Sequence, residues 1–251
     1  MGFFDMFRAG GGRSPTTKGD ANATAAAKWA EKAGDKRAQN YDRQEAIAAL
    51  AEMKTSDAAA ALLRRFRFDI DPSITDQEEK QAAFDGVLNA GEDAVESIRA
   101  FAAKASSLAW PMKLLTELLE ENAYVEELLT WLSRWDTEYA KFVDPKIQLL
   151  VELGDHRHDQ IRGAVEPFLE DVNETARFHA VATTFAQEDT AAIPALLRTL
   201  ANEESFRVKN KLADGFVSRS WLVPEDQRET TRKVLPPGYS IDATGKINKR
   251  D

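Results

Sequence analysis

Apolar positions recur with helical spacing along the chain from about Asn22 to Leu235. Helix start and stop signals follow one another every 12 to 20 residues in this region, and no interior stretch alternates as a strand would. At two junctions an apolar helix reaches Gly91 or Gly154, each suited to a left-handed C-terminal cap, and an acidic residue follows. The pattern predicts an all-α body.

The predicted helices fall into pairs with a repeat of about 30 to 35 residues. Second helices of the pairs are predicted to start near Asn40, Thr75, Ala109, Asp144, Asn173 and Glu204. First helices are predicted at 56–67, 92–105, 122–135, 158–170 and 189–201, with capping helices at 23–34 and 225–235 and an extended insertion at 67–74. A single pair cannot bury its apolar stripe, whereas stacked pairs share a continuous core. We therefore predict five to six stacked helix pairs over residues 25–235.

Both ends of the chain depart from this pattern. Residues 1–24 combine a Phe-rich tip, with Phe3, Phe4 and Phe7, and a Gly, Ser, Thr and Pro mixture typical of a flexible tether. The tip is interpreted either as a short anchor for a partner groove or a membrane surface, or as a start that is disordered or folds back on the body. In 236–251, a Pro-Pro-Gly stop and alternating residues around a turn predict a small C-terminal β-hairpin.

The last two pairs carry a recognisable repeat motif. Residues 193–200 (IPALLRTL) read as an apolar first helix with an early Pro, and 202–207 (NEESFR) as an acidic turn, an apolar residue and Arg207. Residues 170–181 repeat the turn and the basic residue at Arg177. The motif resembles the HEAT repeat family, and the resemblance covers roughly residues 40–219. It implies a right-handed α-α superhelix but no specific activity, because the family consists mostly of scaffolds and adaptors with a few enzymes among them.

A basic residue recurs every 30 to 37 residues in nearly the same slot of each second helix. The members of this basic ladder are Arg43, Lys80, Lys113, Lys146, Arg177 and Arg207. On a structural interpretation, each member binds the acidic turn or the carbonyl groups of a neighbouring repeat. On a functional interpretation, part of the ladder faces a groove and binds an acidic peptide or helix. The predicted partner-binding residues are then Lys80, Lys113, Lys146, Arg177, His179 and Arg207.

Aromatic residues are concentrated in the middle of the chain. They are Trp110, Tyr124, Trp131, Trp135, Tyr139 and Phe142. Exposed together, they would form a hot-spot surface for a protein partner. Their helical spacing is also typical of aromatic side chains that fill the core between helices, so both interpretations stay open.

Composition narrows the class of partner. The chain has 33 Lys and Arg against 42 Asp and Glu, a net charge of -9, which disfavours binding to a phosphate backbone. It has no Cys, so disulfides and thiolate catalysis are excluded. No run reaches the roughly 18 to 20 apolar residues of a membrane span. We expect a cytoplasmic protein without stable membrane insertion and without nucleic acid as a partner.

Signatures of catalysis are missing from the sequence. There is no phosphate-binding loop, nucleophile elbow or zinc-protease helix, and His156 and His158 lack a third metal ligand at fixed spacing. The His-Glu pairs of HEAT-type iron hydroxylases do not occur. We therefore expect no cofactor and favour a non-enzymatic scaffold that binds a protein or peptide on its concave helical face. A HEAT-type enzyme or lyase acting on a small molecule, and a nucleic-acid-binding HEAT protein, are the alternatives.

Overall fold

The computed structural model describes residues 18–249, with side chains from Thr24 onward, and this part of the chain is mostly helical. Its helices are α1 (Lys18–Ala33), α2 (Asn40–Ala51), α3 (Ser56–Leu62), α4 (Ser73–Leu88), α5 (Val95–Ala102), α6 (Ala109–Leu118), α7 (Glu121–Leu132), α8 (Asp144–Gly154), α9 (Asp159–Val165), α10 (Glu174–Ala186), α11 (Ile193–Asn202), α12 (Phe206–Arg219) and α13 (Arg228–Val234). Two short antiparallel strands follow, β1 (Tyr239–Ile241) and β2 (Ile247–Lys249). The predicted helical body and C-terminal hairpin are confirmed, while the Phe-rich tip lies outside the described residues.

The predicted helix positions agree closely with the observed ones. The second helices α2, α4, α6, α8, α10 and α12 all start within two residues of their predicted positions. Several first helices contain a 3₁₀ segment, such as Leu63–Arg67 after α3 and Glu166–Glu170 after α9. The insertion predicted at 67–74 is shorter than expected, since α4 already begins at Ser73.

The described residues form two compact units, which divide between Ile98 and Arg99. In the first unit α1 packs on α2 and α3, and α2 packs on α4. Helices α1 and α3 thus form one layer, and α2 and α4 form the other. Ile47, Leu50 and Leu62 are fully buried between them.

The second unit repeats this two-layer packing over a longer stretch. Helices α8, α10 and α12 pack side by side in one layer, and α7, α9, α11 and α13 lie in the other. Helices α10 and α12 approach so closely that a Cβ added to Gly215 would lie 2.2 Å from the Phe185 ring. The hairpin packs on α12 and α13 and buries Ile241 and Ile247, which are partners in its register.

The two glycines at the helix junctions behave differently. Gly91 has a φ of 61°, so the predicted left-handed conformation is confirmed. The same prediction for Gly154 is wrong, because this residue is the last residue of α8 and does not have a positive φ. An added Cβ at Gly154 would lie 3.0 Å from Thr183 Oγ1. Its small size therefore serves the close packing of α8 on α10.

None of the helices in residues 18–249 is long and apolar enough to cross a membrane.

Candidate functional site

The first members of the basic ladder belong to a buried charge network in the first unit. Arg43 on α2 donates to both carboxylate oxygens of Glu79 on α4, from Nε at 2.7 Å and from Nη2 at 3.0 Å. Arg65, which follows α3, donates from Nε to the same Glu79 at 2.8 Å and from Nη2 to Asp76 at 2.7 Å. All four side chains are buried. The network therefore ties α2, α4 and the segment after α3 together.

Lys80 extends this network. Its ammonium group donates to Asp76 Oδ2 at 2.7 Å and also to Asp69. Burial acts to raise the pKa of Asp76, but hydrogen bonds from Lys80 and Arg65 outweigh it, so the pKa lies below its ordinary value. Lys80 is itself buried, and its ammonium group binds carboxylates of the protein instead of facing solvent.

Lys146 on α8 makes the corresponding contact in the second unit. Its Nζ donates to Asp171 Oδ2 at 2.5 Å and to the carbonyl oxygen of Asp136 at 3.1 Å. Lys146 and Asp171 are both buried, and Asp171 lies in the turn that precedes α10. The ladder cation of one helix pair thus binds the acidic turn of the next pair.

Arg177 on α10 repeats the arrangement one pair further along. Its guanidinium binds Glu203 through two hydrogen bonds of 2.8 and 2.9 Å, and Glu203 lies in the turn before α12. It also donates to the carbonyl oxygen of Asp171 at 2.8 Å. Hydrogen bonding to Glu203 raises the pKa of Arg177. The contacts of Lys146 and Arg177 therefore follow the structural interpretation of the ladder, whereas Lys80 pairs with Asp76 of its own helix and with Asp69 just before it.

Arg207 on α12 is placed differently from the preceding members. Its ion-pair contact is with Glu174 of the preceding helix α10, and not with the acidic segment Glu225–Gln227 that precedes α13. Its guanidinium lies 3.9 Å from the centroid of the Phe178 ring, and its contact with Glu174 is 3.6 Å long. The side chain of Arg207 is 49% exposed. This ladder position faces solvent.

His179 and Lys211 complete a cluster around Arg207. Lys211 Nζ lies 5.4 Å from the centroid of the Phe178 ring, and the His179 ring contacts Phe178 edge-on at 5.3 Å. Burial lowers the pKa of His179, and the charges of Arg207 and Lys211 lower it further. We call Phe178, His179, Arg207 and Lys211, with the exposed Phe206, the α10–α12 basic patch.

The sign of this patch follows from the sequence of α12. Its first six residues, Phe206 to Lys211, include three basic residues and no acidic one. The next acid along the helix, Asp214, accepts hydrogen bonds from Tyr239 and Lys249 of the hairpin. Among the described residues, the acid that forms an ion pair with Arg207 is Glu174. The patch is locally positive on an acidic chain.

Lys113, the remaining predicted partner-binding residue, lies on a different helix, α6. It is exposed, and its Nζ lies 5.3 Å from the centroid of the Trp110 ring. The structure therefore places His179 and Arg207 in one cluster and Lys113 on a different helix.

The central aromatic residues divide between the two interpretations made from the sequence. Tyr124 and Trp131 are buried, as expected of core residues. Tyr139 and Phe142 are 82% and 63% exposed. Trp131 and Phe142 also line a pocket of about 430 Å³, together with Trp135, which we call the Trp131 pocket.

A metal site is not indicated in the described part of the chain, where no group of three or more His, Asp or Glu residues is placed to hold an ion. His156 lies 3.5 Å from Glu121 and contacts the Tyr124 ring edge-on. His158 caps α9 by accepting from the backbone N–H of Gln160. Each of these histidines therefore has a local structural contact.

Sequence reasoning missed Phe178, Phe206 and Lys211 as members of the patch. A usable signal was present, because Arg207 and Lys211 are four residues apart and share one face of a helix. Phe178 gave no such signal, since its position between the two cations depends on how α10 packs against α12.

Comparison of the chain with family models, with curated proteins and with solved structures finds no match. The likeness to HEAT repeats therefore rests on the motif and its period.

Proposed function

We propose that this protein is a non-enzymatic interaction scaffold that binds an acidic protein segment or peptide across α10 and α12. The observation that carries the proposal is the α10–α12 basic patch, where two cations flank the face of Phe178 at 3.9 and 5.4 Å. An aromatic anchor beside partly exposed cations is a favourable contact for a ligand that carries both carboxylates and an apolar side chain.

The pairing of the other ladder residues supports this choice of surface. Asp171 and Glu203, which lie in the turns before α10 and α12, are bound by Lys146 and Arg177. Their charges are therefore compensated inside the protein and do not neutralise Arg207 or Lys211. A ligand with negative charge gains most at the patch, because the acid paired with Arg207 there, Glu174, is 3.6 Å away and about half exposed.

The architecture proposed for this function is the right-handed α-α superhelix of HEAT-like pairs, with the second helices on the concave face. Two-layer packing in each unit and the pairing of cations with the next acidic turn support it. Such a surface is preorganised, so little conformational entropy is lost from the receptor on binding. A cytoplasmic location, and a partner that is not nucleic acid, are parts of the same proposal.

The test uses a fluorescein-labelled peptide in which Glu residues surround one Phe and one Leu, and a control peptide with Gln in place of each Glu. Fluorescence anisotropy measures binding at about 50 mM and about 200 mM salt. We expect the acidic peptide to bind, the Gln peptide to bind at least about tenfold more weakly, and the difference to shrink at the higher salt concentration.

Two charge-reversal variants separate the patch from net charge. The Arg207→Glu, Lys211→Glu double variant should bind the acidic peptide at least about tenfold more weakly. Arg232→Glu with Lys233→Glu changes the net charge equally on exposed positions of α13 and should leave the affinity within about twofold. Equal losses in both variants, with unchanged circular dichroism, would contradict the proposal.

A further inference from the structure

The Trp131 pocket lies in the second unit, between the end of α5, the loop after it, and the junction of α7 with α8. Its volume of about 430 Å³ is within the range of about 300 to 1,000 Å³ that is typical of small-molecule sites. Three aromatic side chains line it, from Trp131, Trp135 and Phe142. The pocket therefore suits a ligand with a flat or apolar ring system.

The charged residues of the pocket limit the ligand further. Lys104 and Arg134 both belong to its lining, and none of the described residues that line it is acidic. Aromatic walls by themselves would also attract a cation through their π faces. Two basic side chains oppose a cation and favour an anion, so charge complementarity selects a negatively charged ligand.

Trp131 adds a hydrogen-bond donor without a partner. The side chain is 3% exposed, and its Nε1–H has no acceptor among the described residues. Buried N–H groups in folded proteins nearly always have an acceptor. Because Trp131 lines the pocket, a ligand oxygen is a candidate to supply it.

We propose that the Trp131 pocket binds a small organic anion with an aromatic body, and that it does so independently of the α10–α12 basic patch. The aromatic body lies among Trp131, Trp135 and Phe142, and the anionic group lies toward Lys104 and Arg134. Binding here involves no covalent step. The pocket gives the protein a small-molecule site in addition to its proposed peptide site.

The experiment compares two probes of nearly equal shape on the full chain, 1-naphthaleneacetate and the uncharged 1-naphthaleneacetamide. The five Trp indole N–H signals are assigned from triple-resonance spectra of isotope-labelled protein and followed during titration. We expect 1-naphthaleneacetate to shift the indole signals of Trp131 and Trp135 and to bind at least about tenfold more tightly than the amide. Equal affinities for acid and amide, or shifts confined to other Trp residues, would overturn the proposal.

Matched variants test the role of the cations. Lys104→Gln with Arg134→Gln should reduce the preference for the acid to within about twofold, while Arg232→Gln with Lys233→Gln should keep it. A preference that survives the first pair of substitutions would overturn the assignment of the anion. Thermal unfolding of each variant verifies that it is folded.

The same titration separates this inference from the proposed peptide function. The Arg207→Glu, Lys211→Glu double variant is expected to lose binding of the acidic peptide. It should bind 1-naphthaleneacetate with the same affinity as the unsubstituted protein. Loss of the naphthalene probe in this folded variant would refute independence of the two sites. Failure of the peptide assay with intact probe binding would remove only the proposed peptide function.

Discussion

Lys146 and Arg207 occupy the same position in two second helices of one layer, yet they differ in burial and in their contacts with acidic residues. The Lys146 side chain is 1% exposed and binds Asp171 at 2.5 Å, whereas Arg207 is 49% exposed and reaches Glu174 only at 3.6 Å. Arg177, between them in the chain, has an exposed fraction of 20% and a 2.8 Å contact with Glu203. One periodic signal in the sequence thus corresponds to a graded series from interior to surface.

Among α8, α10 and α12 the difference follows from which acid lies beside each cation. Lys146 and Arg177 each bind an acid in the turn before the next second helix. Arg207 on α12 makes no such contact with Glu225 or Asp226 before α13 and instead stacks on Phe178 of α10. The basic position that pairs with an acidic turn in α8 and α10 is therefore about half exposed in α12.

The largest effect is expected for Lys146→Met. This substitution removes the cation and leaves Asp171 buried without its partner, which should lower the free energy of unfolding by about 3 to 5 kcal/mol. Urea unfolding at pH 7, followed by circular dichroism, measures the change.

A second substitution tests whether the lost pairing is the cause. Lys146→Met combined with Asp171→Leu replaces both charges by apolar groups and should recover at least about half of the loss. If the double variant is less stable than Lys146→Met, packing rather than the unpaired carboxylate determines the effect.

An intermediate effect is expected for Arg177→Met. Glu203 loses two charge-assisted hydrogen bonds while its own side chain is 2% exposed, which should cost about 1.5 to 3 kcal/mol. Burial acts to raise the pKa of Glu203, but the hydrogen bond from Arg177 outweighs it and the pKa lies below its usual value of 4.5. The stability from this pair is therefore present above pH 4.5 and is lost as the pH falls through the lowered pKa.

Unfolding curves from pH 7 to pH 3 show whether this sign is right. The stability difference between the unsubstituted protein and Arg177→Met should shrink as the pH falls below 4.5. A difference that is constant over this range would argue against the ion pair as its source.

Arg207→Met should have a small effect on stability, about 0 to 1 kcal/mol, because both partners of its contact are about half exposed. Urea unfolding under the same conditions as for Lys146→Met gives the comparison directly. A loss as large as that of Lys146→Met would mean that Arg207 is also a structural member of the ladder.

The smallest effect concerns His179. Burial and the nearby cations lower its pKa below the usual value of 6.5. The unfolded chain therefore takes up a proton first, and stability falls as the pH decreases from 6.5 through the lowered pKa. His179→Gln should flatten this part of the stability profile between pH 7 and pH 5, as measured by thermal unfolding. An unchanged slope would mean that His179 is protonated as easily in the folded state as in the unfolded one.

Much of the fold could be predicted from local signals. Caps, turns and helical periodicity gave the second helices within two residues, because these signals act over a few neighbouring positions. Gly154 shows the limit of such signals. A glycine after an apolar helix suggests a left-handed cap, but here it permits contact with Thr183, which is 29 residues further along the chain.

The candidate site was predicted less completely. The sequence identified Arg207 and His179, but it also included Lys80 and Lys146, which the structure buries against acids. No sequence pattern connected Lys104 with Arg134, because these residues come from separate segments of the chain that both line the Trp131 pocket.

The sequence by itself determined where helices begin and end, their pairing and the period of the basic residues, because helix formation and apolar periodicity depend on residues close together in the chain. The tertiary structure decided which basic residues are bound by acids and which face solvent. That outcome depends on the distance between side chains from different helix pairs, and on which acid lies beside each cation.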